Sequence, residues 1–317
     1  MKVLVTGASG FVGNATCSRL VKQGMNNVVG AVRSLPVWLL PEVNYRITVG
    51  IDASTDWRDM LTGVDTVIHC AARMHVLRER AGDPLAAFRA VNVAGTEQLA
   101  RQAAAAGVRQ FIFLSSVKVN GGNFLVPYRE TDILSAEGAY GISKYESELV
   151  LCEIAQRTGL EVVMIRSPLI YGPGVKANFQ LLMQALMRSI PLPLGAIHNF
   201  RSLVALDNIV DFIVTCIGHP AAADETFLVS DGDDISTTEL IRHLAYAMGC
   251  PARLFSVPDT VLMAGATLLG KREVARRLCG TLQVNIAKAR EVLGWVPPVS
   301  VNEGLSQTAE YYLQRHH

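Results

Sequence analysis

The sequence predicts an α/β protein built on a Rossmann-type doubly wound parallel sheet, with a smaller α/β substrate-binding region. Three observations carry that reading. A glycine-spaced turn follows the first strand-like run, a helical stretch followed by an apolar run recurs through the first half, and the pattern changes near residue 170. Alternating helices and short apolar strands bury a parallel sheet on both faces.

Val3-Leu4-Val5 is the first strand, and it runs straight into Thr6-Gly7-Ala8-Ser9-Gly10-Phe11-Val12-Gly13. Glycines at this spacing permit a tight turn, close backbone approach to a pyrophosphate and close helix–strand packing. The helix predicted from about Phe11 to Gln23 aims its N-terminal amides at the phosphates. Its end, Leu20 to Gly24, precedes Val28-Val29. Ala103 to Gly107 precedes Phe111 to Leu114, and Gln156 to Gly159 precedes Val162 to Ile165. Glycine takes the left-handed conformation that commonly ends a helix, and each run after it reads as a buried strand. Thr66 to His69, led in by Gly63-Val64-Asp65, is a further strand.

Past residue 170, Pro-rich turns appear at 171–174, 191–195 and 297–298. Ser236-Thr237-Thr238-Glu239 has capping-box spacing and opens a helix through about Met248. Thr226 to Val229 reads as a strand that rejoins the first sheet. The expected division is a dinucleotide-binding domain at 1–170, rejoined by about 203–230, and a substrate-binding region at 171–202 and 231–317.

Half of the 317 residues are hydrophobic and 18% are charged, enough for a sizeable core. The net charge is only +1 and no lysine or arginine run stands out, which argues against a nucleic-acid partner. The six cysteines are scattered without metal-ligand spacing, so they read as reduced thiols and no metal is expected. The N-terminal residues lack the apolar stretch and cleavage site of a secretory signal, and a cytoplasmic location is expected. Val261 to Leu269 is about half a membrane span and is broken by Gly265. It reads as a buried or interfacial helix, and no membrane span is predicted.

The tip of the second strand, Val28 to Val32, is followed by Arg33 and Ser34, with no acid to hold a ribose hydroxyl. Arginine binds phosphate through charge-assisted bonds, so Arg33 predicts NADP(H), with NAD(H) as the alternative. Tyr140 and Lys144 stand four apart and share a face if 139–157 is helical. A nearby ammonium is expected to lower the phenol pKa and fit Tyr140 for proton exchange with a carbinol oxygen. Ser115-Ser116 follows the strand ending near Leu114, where open α/β sheets place their ligands.

Taken together these segments resemble the extended short-chain dehydrogenase/reductases. The motifs are 6–13, His69-Cys70-Ala71-Ala72, Asn92 to Thr96, Ser115-Ser116, Tyr140 to Lys144, Arg166-Ser167-Pro168, Tyr171 to Gly174, Arg201 to Asp207 and Leu293-Gly294-Trp295. They stand in family order over essentially the whole chain. The resemblance implies a Ser116–Tyr140–Lys144 catalytic set, with Lys144 also holding the nicotinamide ribose. It implies cofactor contacts from Gly7, Ser9, Gly10, Phe11, Val12, Gly13, Ala71 and Ala72. Asn92 supports the active-site network, a helix cap being the other reading; His69 reads as a packed histidine without chemistry.

The substrate end is similar to nucleotide-sugar epimerases and reductases, which implies a UDP-sugar substrate and a homodimer. Asn178 would lie near the nucleotide phosphates, and Arg201 and Arg277 would clamp the pyrophosphate, with Arg272 and Arg276 as neighbours in the same stretch. The segment after the serine pair often reads Val-Tyr-Gly in this superfamily; here it is Val117-Lys118-Val119-Asn120-Gly121. Lys118 therefore puts a cation at the substrate pocket unless it turns to solvent. This stretch resembles a narrower group, the bacterial UDP-N-acetyl-α-D-quinovosamine dehydrogenases of surface-polysaccharide synthesis. The expected reaction is NADP(H)-dependent reduction of the C4 ketone of a UDP-4-keto-6-deoxy-N-acetylhexosamine. The alternatives are an NAD-retaining UDP-hexose 4-epimerase, a reductase of hydroxysteroid-like ketones and a non-catalytic dinucleotide sensor.

Overall fold

A computed structural model describes residues 1–74, 82–121, 126–268, 270 and 272–316. The strands are β1 (Val3–Thr6), β2 (Val28–Val32), β3 (Val43–Ile47), β4 (Thr66–His69), β5 (Gln110–Ser116), β6 (Glu161–Ser167), β7 (Leu169–Tyr171), β8 (Leu203–Ala205) and β9 (Thr226–Leu228). The first helices are α1 (Phe11–Lys22), α2 (Arg58–Leu61), α3 (Pro84–Arg89) and α4 (Gly95–Ala105). α5 (Gly138–Thr158), α6 (Asn178–Met187), α7 (Leu206–Cys216) and α8 (Thr237–Ala247) follow. The last are α9 (Asp259–Leu268), α10 (Arg272–Cys279), α11 (Ala287–Leu293) and α12 (Val301–His316).

Seven strands form one sheet in the order β3-β2-β1-β4-β5-β6-β9, and every pairing in it is parallel. This is the Rossmann-like doubly wound arrangement. β1, β2 and β4 are buried at every position because helices cover both faces. One core packs α7 and the inner side of α1 on one face, with Phe212, Phe227 and Ile112 at its centre. The other packs Leu99, Ala103, Leu151 and Ile154, from α4 and α5, on Phe111 and Phe113. β9 joins the sheet beside β6, whereas β8 pairs with β7 in a separate two-stranded sheet.

Local chemistry sets the helix limits. α1 and α5 are followed by Gly24 and Gly159 at φ +80° and +72°, the left-handed stop that a side chain would strain. α8 starts with a complete capping box: Ser236 Oγ accepts from Glu239 N–H, and the Glu239 carboxylate accepts from Ser236 N–H. The C-terminal region is fastened through polar nodes. Tyr171 donates to Asp231 (2.7 Å), whose other oxygen accepts from Ala205 N–H and Asn208. Trp295 stacks edge-on against Phe212 and donates to Asp211, which also pairs with Arg19 of α1.

The apolar stretch read as buried or interfacial forms α9, and burial is corrected: none of its residues is buried. Apolar composition alone does not bury a helix; it needs a partner face, and α9 packs on α10 without entering either sheet core. Leu269 lies outside the described residues.

Candidate active site

The sheet reverses direction of growth between β1 and β4, since the chain adds β2 and β3 on one side and β5, β6 and β9 on the other. Open parallel sheets bind ligands outside the carboxyl ends at such a point. Thr6, His69 and Ser116 end β1, β4 and β5 there, and exposed Arg33 directly follows β2.

The glycine turn is shaped for close approach. Gly7 sits at φ +66°, and a Cβ on it would lie 3.0 Å from the Ala71 backbone. A Cβ on Gly13 would lie 2.2 Å from the Gly7 carbonyl oxygen, which no side chain tolerates. Gly10 N–H donates to Gly7 O at 2.8 Å and closes the turn. Ser9 and Gly10 are exposed, and Gly10, at the cap position before α1, gives no side-chain cap, with no acid in the helix's first turn. The amides of Phe11, Val12 and Gly13 therefore carry the helix's positive end with no side chain to neutralise it. This cradle fits the diphosphate of a dinucleotide. Ala71 and Ala72, both half-buried, continue from β4 beside it, and Ala71 N–H donates to Thr6 Oγ1.

The structure joins Tyr140 to Ser116 by a side-chain hydrogen bond. Ser116 is held in place because its Oγ also accepts from the Lys118 N–H. Lys144, one turn after Tyr140 in α5, is buried, with Nζ 3.8 Å from the centre of the Phe113 ring. Burial pushes the Lys144 ammonium down to about 7, against the opposing influence of Glu148. Among the described residues no carboxylate lies within ion-pair distance of it.

One electrostatic expectation is corrected. Tyr140 is not lowered by Lys144; burial pushes its phenol up to about 12, opposed by the hydrogen bond from Ser116. Desolvation disfavours both charged forms, the phenolate and the ammonium. At neutral pH Tyr140 is thus a neutral proton donor.

Asn92 lies inside a π-helical segment, Ala90–Ala94, and is not a cap. Its amide donates to the Arg73 carbonyl and to Ser143 Oγ, and its oxygen accepts from Arg73 N–H. It thereby ties the loop after β4 to α5, one residue before Lys144. His69 bridges Thr6 Oγ1 (2.7 Å) and Thr96 Oγ1 (3.0 Å) in full burial, and burial with the Lys144 charge pushes it down to about 3. Its folded pKa is below its ordinary 6.5, so the unfolded chain binds the proton more tightly. Stability therefore falls as pH drops below 6.5 and levels off near 3. Urea unfolding should show a loss of about 2 kcal/mol between pH 7 and pH 5. A His69→Gln variant should flatten that slope; an unchanged slope would contradict it.

Of the residues expected to bind substrate, the structure brings together Lys118, Arg201 and Arg277. Arg201, half-buried between Ile235 and Leu282, donates from Nη1 to the Arg277 carbonyl. Lys118 is half-buried and held below the usual lysine range by burial, then by the charges of Arg277 and Arg276. Arg276 in turn pairs with Glu137, at the start of α5, and with Glu273. Asn178 opens α6 and is exposed; among the described residues no hydrogen bond links it to this cluster.

Two features escaped the sequence reading. Glu148 accepts from Ser115 Oγ (2.6 Å) and pairs with Arg166 (2.7 Å), all three buried beneath Lys144. Its position four residues after Lys144 was the available signal. The Glu137–Arg276 pair spans 139 positions and had none.

The model of the NAD dependent epimerase/dehydratase family matches residues 3–230. The chain is 46% identical to a UDP-glucose 4-epimerase of Vibrio cholerae, over 98% of this chain and 95% of that one. A crystal structure of dTDP-glucose 4,6-dehydratase from Streptomyces venezuelae, with NAD bound, superposes with a TM-score of 0.81 at 26% identity, covering 100% of this chain and 98% of the other. A UDP-glucose 4-epimerase from Thermotoga maritima, with UDP-glucose, gives the same TM-score at 24% identity and covers both chains fully; at that identity the likeness concerns the fold.

Proposed function

This chain belongs to the NAD dependent epimerase/dehydratase family of NAD-dependent enzymes, and from that premise we propose that it carries out hydride chemistry at C4 of a UDP-linked hexose. The observation that carries the reading is the Tyr140–Ser116 hydrogen bond at the carboxyl end of β5, in the same crevice as the glycine cradle. In this reading residues 1–170, rejoined by 203–230, form the dinucleotide-binding unit, and 171–202 with 231–317 form the substrate region.

The bound dinucleotide supplies the hydride exchanged at the sugar carbon. Gly7, Ser9, Gly10, Phe11, Val12 and Gly13 hold its diphosphate, with Ala71 and Ala72 lining the crevice. Lys144, buried over the Phe113 ring with no carboxylate among the described residues within ion-pair distance, holds ribose hydroxyls. Ser116 orients the C4 oxygen, and Tyr140 passes it a proton. Arg201 and Arg277 clamp the diphosphate of the sugar nucleotide, with Asn178 near it and Lys118 on the sugar side. Arginine suits this because its planar fork pairs with phosphate oxygens.

Two net outcomes share this machinery. Reduction of a UDP-4-keto-6-deoxy-N-acetylhexosamine, a step of surface-polysaccharide synthesis, is favoured by Arg33. Tyr140, protonated at neutral pH, can donate to a forming alkoxide in either outcome. Arg33, exposed at the tip of β2 with no acid beside it, favours NADPH. The second outcome, 4-epimerisation without external reductant, is favoured by the 46% identical Vibrio cholerae relative.

Following NADPH and NADH oxidation with the 4-keto sugar nucleotide tests the reductive reading. Rapid NADPH consumption supports it. Interconversion of UDP-glucose and UDP-galactose without reductant, and no oxidation of either coenzyme, would replace it with the epimerase. In the reductive reading Arg33→Ala should raise the KM for NADPH about tenfold or more and change that for NADH about twofold or less. Equal effects on the two coenzymes would remove Arg33 from the phosphate site.

A further inference from the structure

Ser115 and Ser116 end β5, and each faces a residue of β6 across one rung of the sheet, Ser115 opposite Arg166 and Ser116 opposite Ser167. Glu148 of α5 grips the first of these rungs from both strands. Its carboxylate accepts from Ser115 Oγ at 2.6 Å and from Arg166 Nη2 at 2.7 Å, and all three side chains are buried. The next rung carries Ser116, whose hydroxyl is bonded to Tyr140. Tyr140, Lys144 and Glu148 follow one another at four-residue steps of α5 and so share a face. The helix that carries Tyr140 and Lys144 is thus clamped through Glu148 to the strand end that carries Ser116.

The charges around Lys144 single out the same residue. β5 offers it only the Phe113 ring. The end of β4 offers His69 and Cys70, and α5 offers Tyr140 and Glu148, with Arg166 of β6 behind Glu148. Burial holds Tyr140 and Cys70 up at about 12 and His69 down at about 3, so all three are neutral at pH 7. Glu148 is the carboxylate that acts on Lys144, and it favours the ammonium against the burial that disfavours it. On the reading that Lys144 holds the dinucleotide ribose while Ser116 and Tyr140 meet the reacting oxygen, we propose that Glu148 is a positioning residue of this site. It acts through Ser115 to set Ser116 on Tyr140, and through its charge to keep Lys144 an ammonium.

The affinity of the full chain for NADH and NADPH, followed by fluorescence across neutral and alkaline pH, tests the proposal. An ammonium brings charge and donors to the ribose, so affinity should fall as pH rises through the Lys144 titration. Glu148→Gln keeps an acceptor for Ser115 and removes the charge. It should move that fall to lower pH by about one unit or more, about a tenfold change in proton affinity. The variant also leaves Arg166 buried without its counter-charge, which lowers the melting temperature. The double variant Glu148→Gln, Arg166→Met removes both charges and should recover stability while keeping the displaced limb. Glu146→Gln, which breaks the pair to Arg89 on the same helix, should leave the limb in place. Ser115→Ala spares the Glu148–Arg166 pair and should lower kcat about tenfold, with KM and melting temperature nearly unchanged, in whichever sugar-nucleotide reaction the wild type performs. A limb absent from wild type, a limb unmoved in both Glu148 variants, or wild-type kcat in Ser115→Ala would overturn the proposal. Wild-type protein that turns over neither sugar nucleotide would overturn the hydride reading alone, and the dinucleotide limb would still decide the role of Glu148.

Discussion

Replacing Tyr140 with Phe lowers turnover by about 10³-fold and leaves dinucleotide affinity and melting temperature nearly unchanged. The substitution removes only the hydroxyl that bonds Ser116 and that, in the proposed reaction, meets the C4 oxygen. The ring remains, and with it the edge-on contact to Phe88 that positions this part of α5 on α3. Losing one hydrogen bond at a half-buried position costs about 1 kcal/mol, too little to unfold a chain of this size. The loss should therefore appear in kcat and in kcat/KM alike, the pattern of a contact made in the transition state. Steady-state kinetics with fluorescence titration of the dinucleotide separates the two parts. A Phe variant within about tenfold of wild type would assign proton transfer to another group.

Gly13→Ala should act on binding instead. The added methyl would sit 2.2 Å from the Gly7 carbonyl oxygen and 2.7 Å from its carbon, both backbone atoms, so the backbone itself has to shift. Either α1 moves away from β1 or the Gly7 turn opens, and each displaces the amides aimed at the diphosphate. Overpacking of this kind costs about 3 kcal/mol. If it falls on the cradle, dinucleotide affinity drops about 100-fold or more. Gly24→Ala is the matched control: no atom lies within 4 Å of its added Cβ, although its φ of +80° still carries strain. It should cost about 1 kcal/mol of stability and leave dinucleotide affinity unchanged. Calorimetric titration of both variants checks the contrast.

The features legible in the sequence are those set by local geometry. The glycine turn, the Tyr140–Lys144 spacing and the Ser236–Glu239 capping box each act within one or two turns of chain, so residue type and separation suffice to place them. The parallel sheet was legible for a related reason, because strands buried on both faces are apolar throughout. What was not legible depends on who packs against whom. The sign of the Tyr140 shift follows from desolvation by its surroundings, which spacing to a lysine does not reveal. Asn92 is a plausible cap by residue type, yet the π-helical turn aims it at Arg73 and Ser143. Glu137 meets Arg276 only because α10 folds back over the start of α5. The exposure of α9 runs against its composition and has to be seen in space.

The most direct test of hydride chemistry at C4 follows that carbon itself. The enzyme would be incubated with UDP-4-keto-6-deoxy-N-acetylglucosamine and NADPH deuterated at the transferable position, and separately with UDP-galactose and NAD. Proton and deuterium NMR would then be read at C4 of the sugar. The account predicts deuterium at a new C4 carbinol in the first reaction, or inverted C4 configuration in the second, and loss of whichever signal appears in the Tyr140→Phe variant. Both sugars recovered unchanged from folded, dinucleotide-binding protein would contradict it.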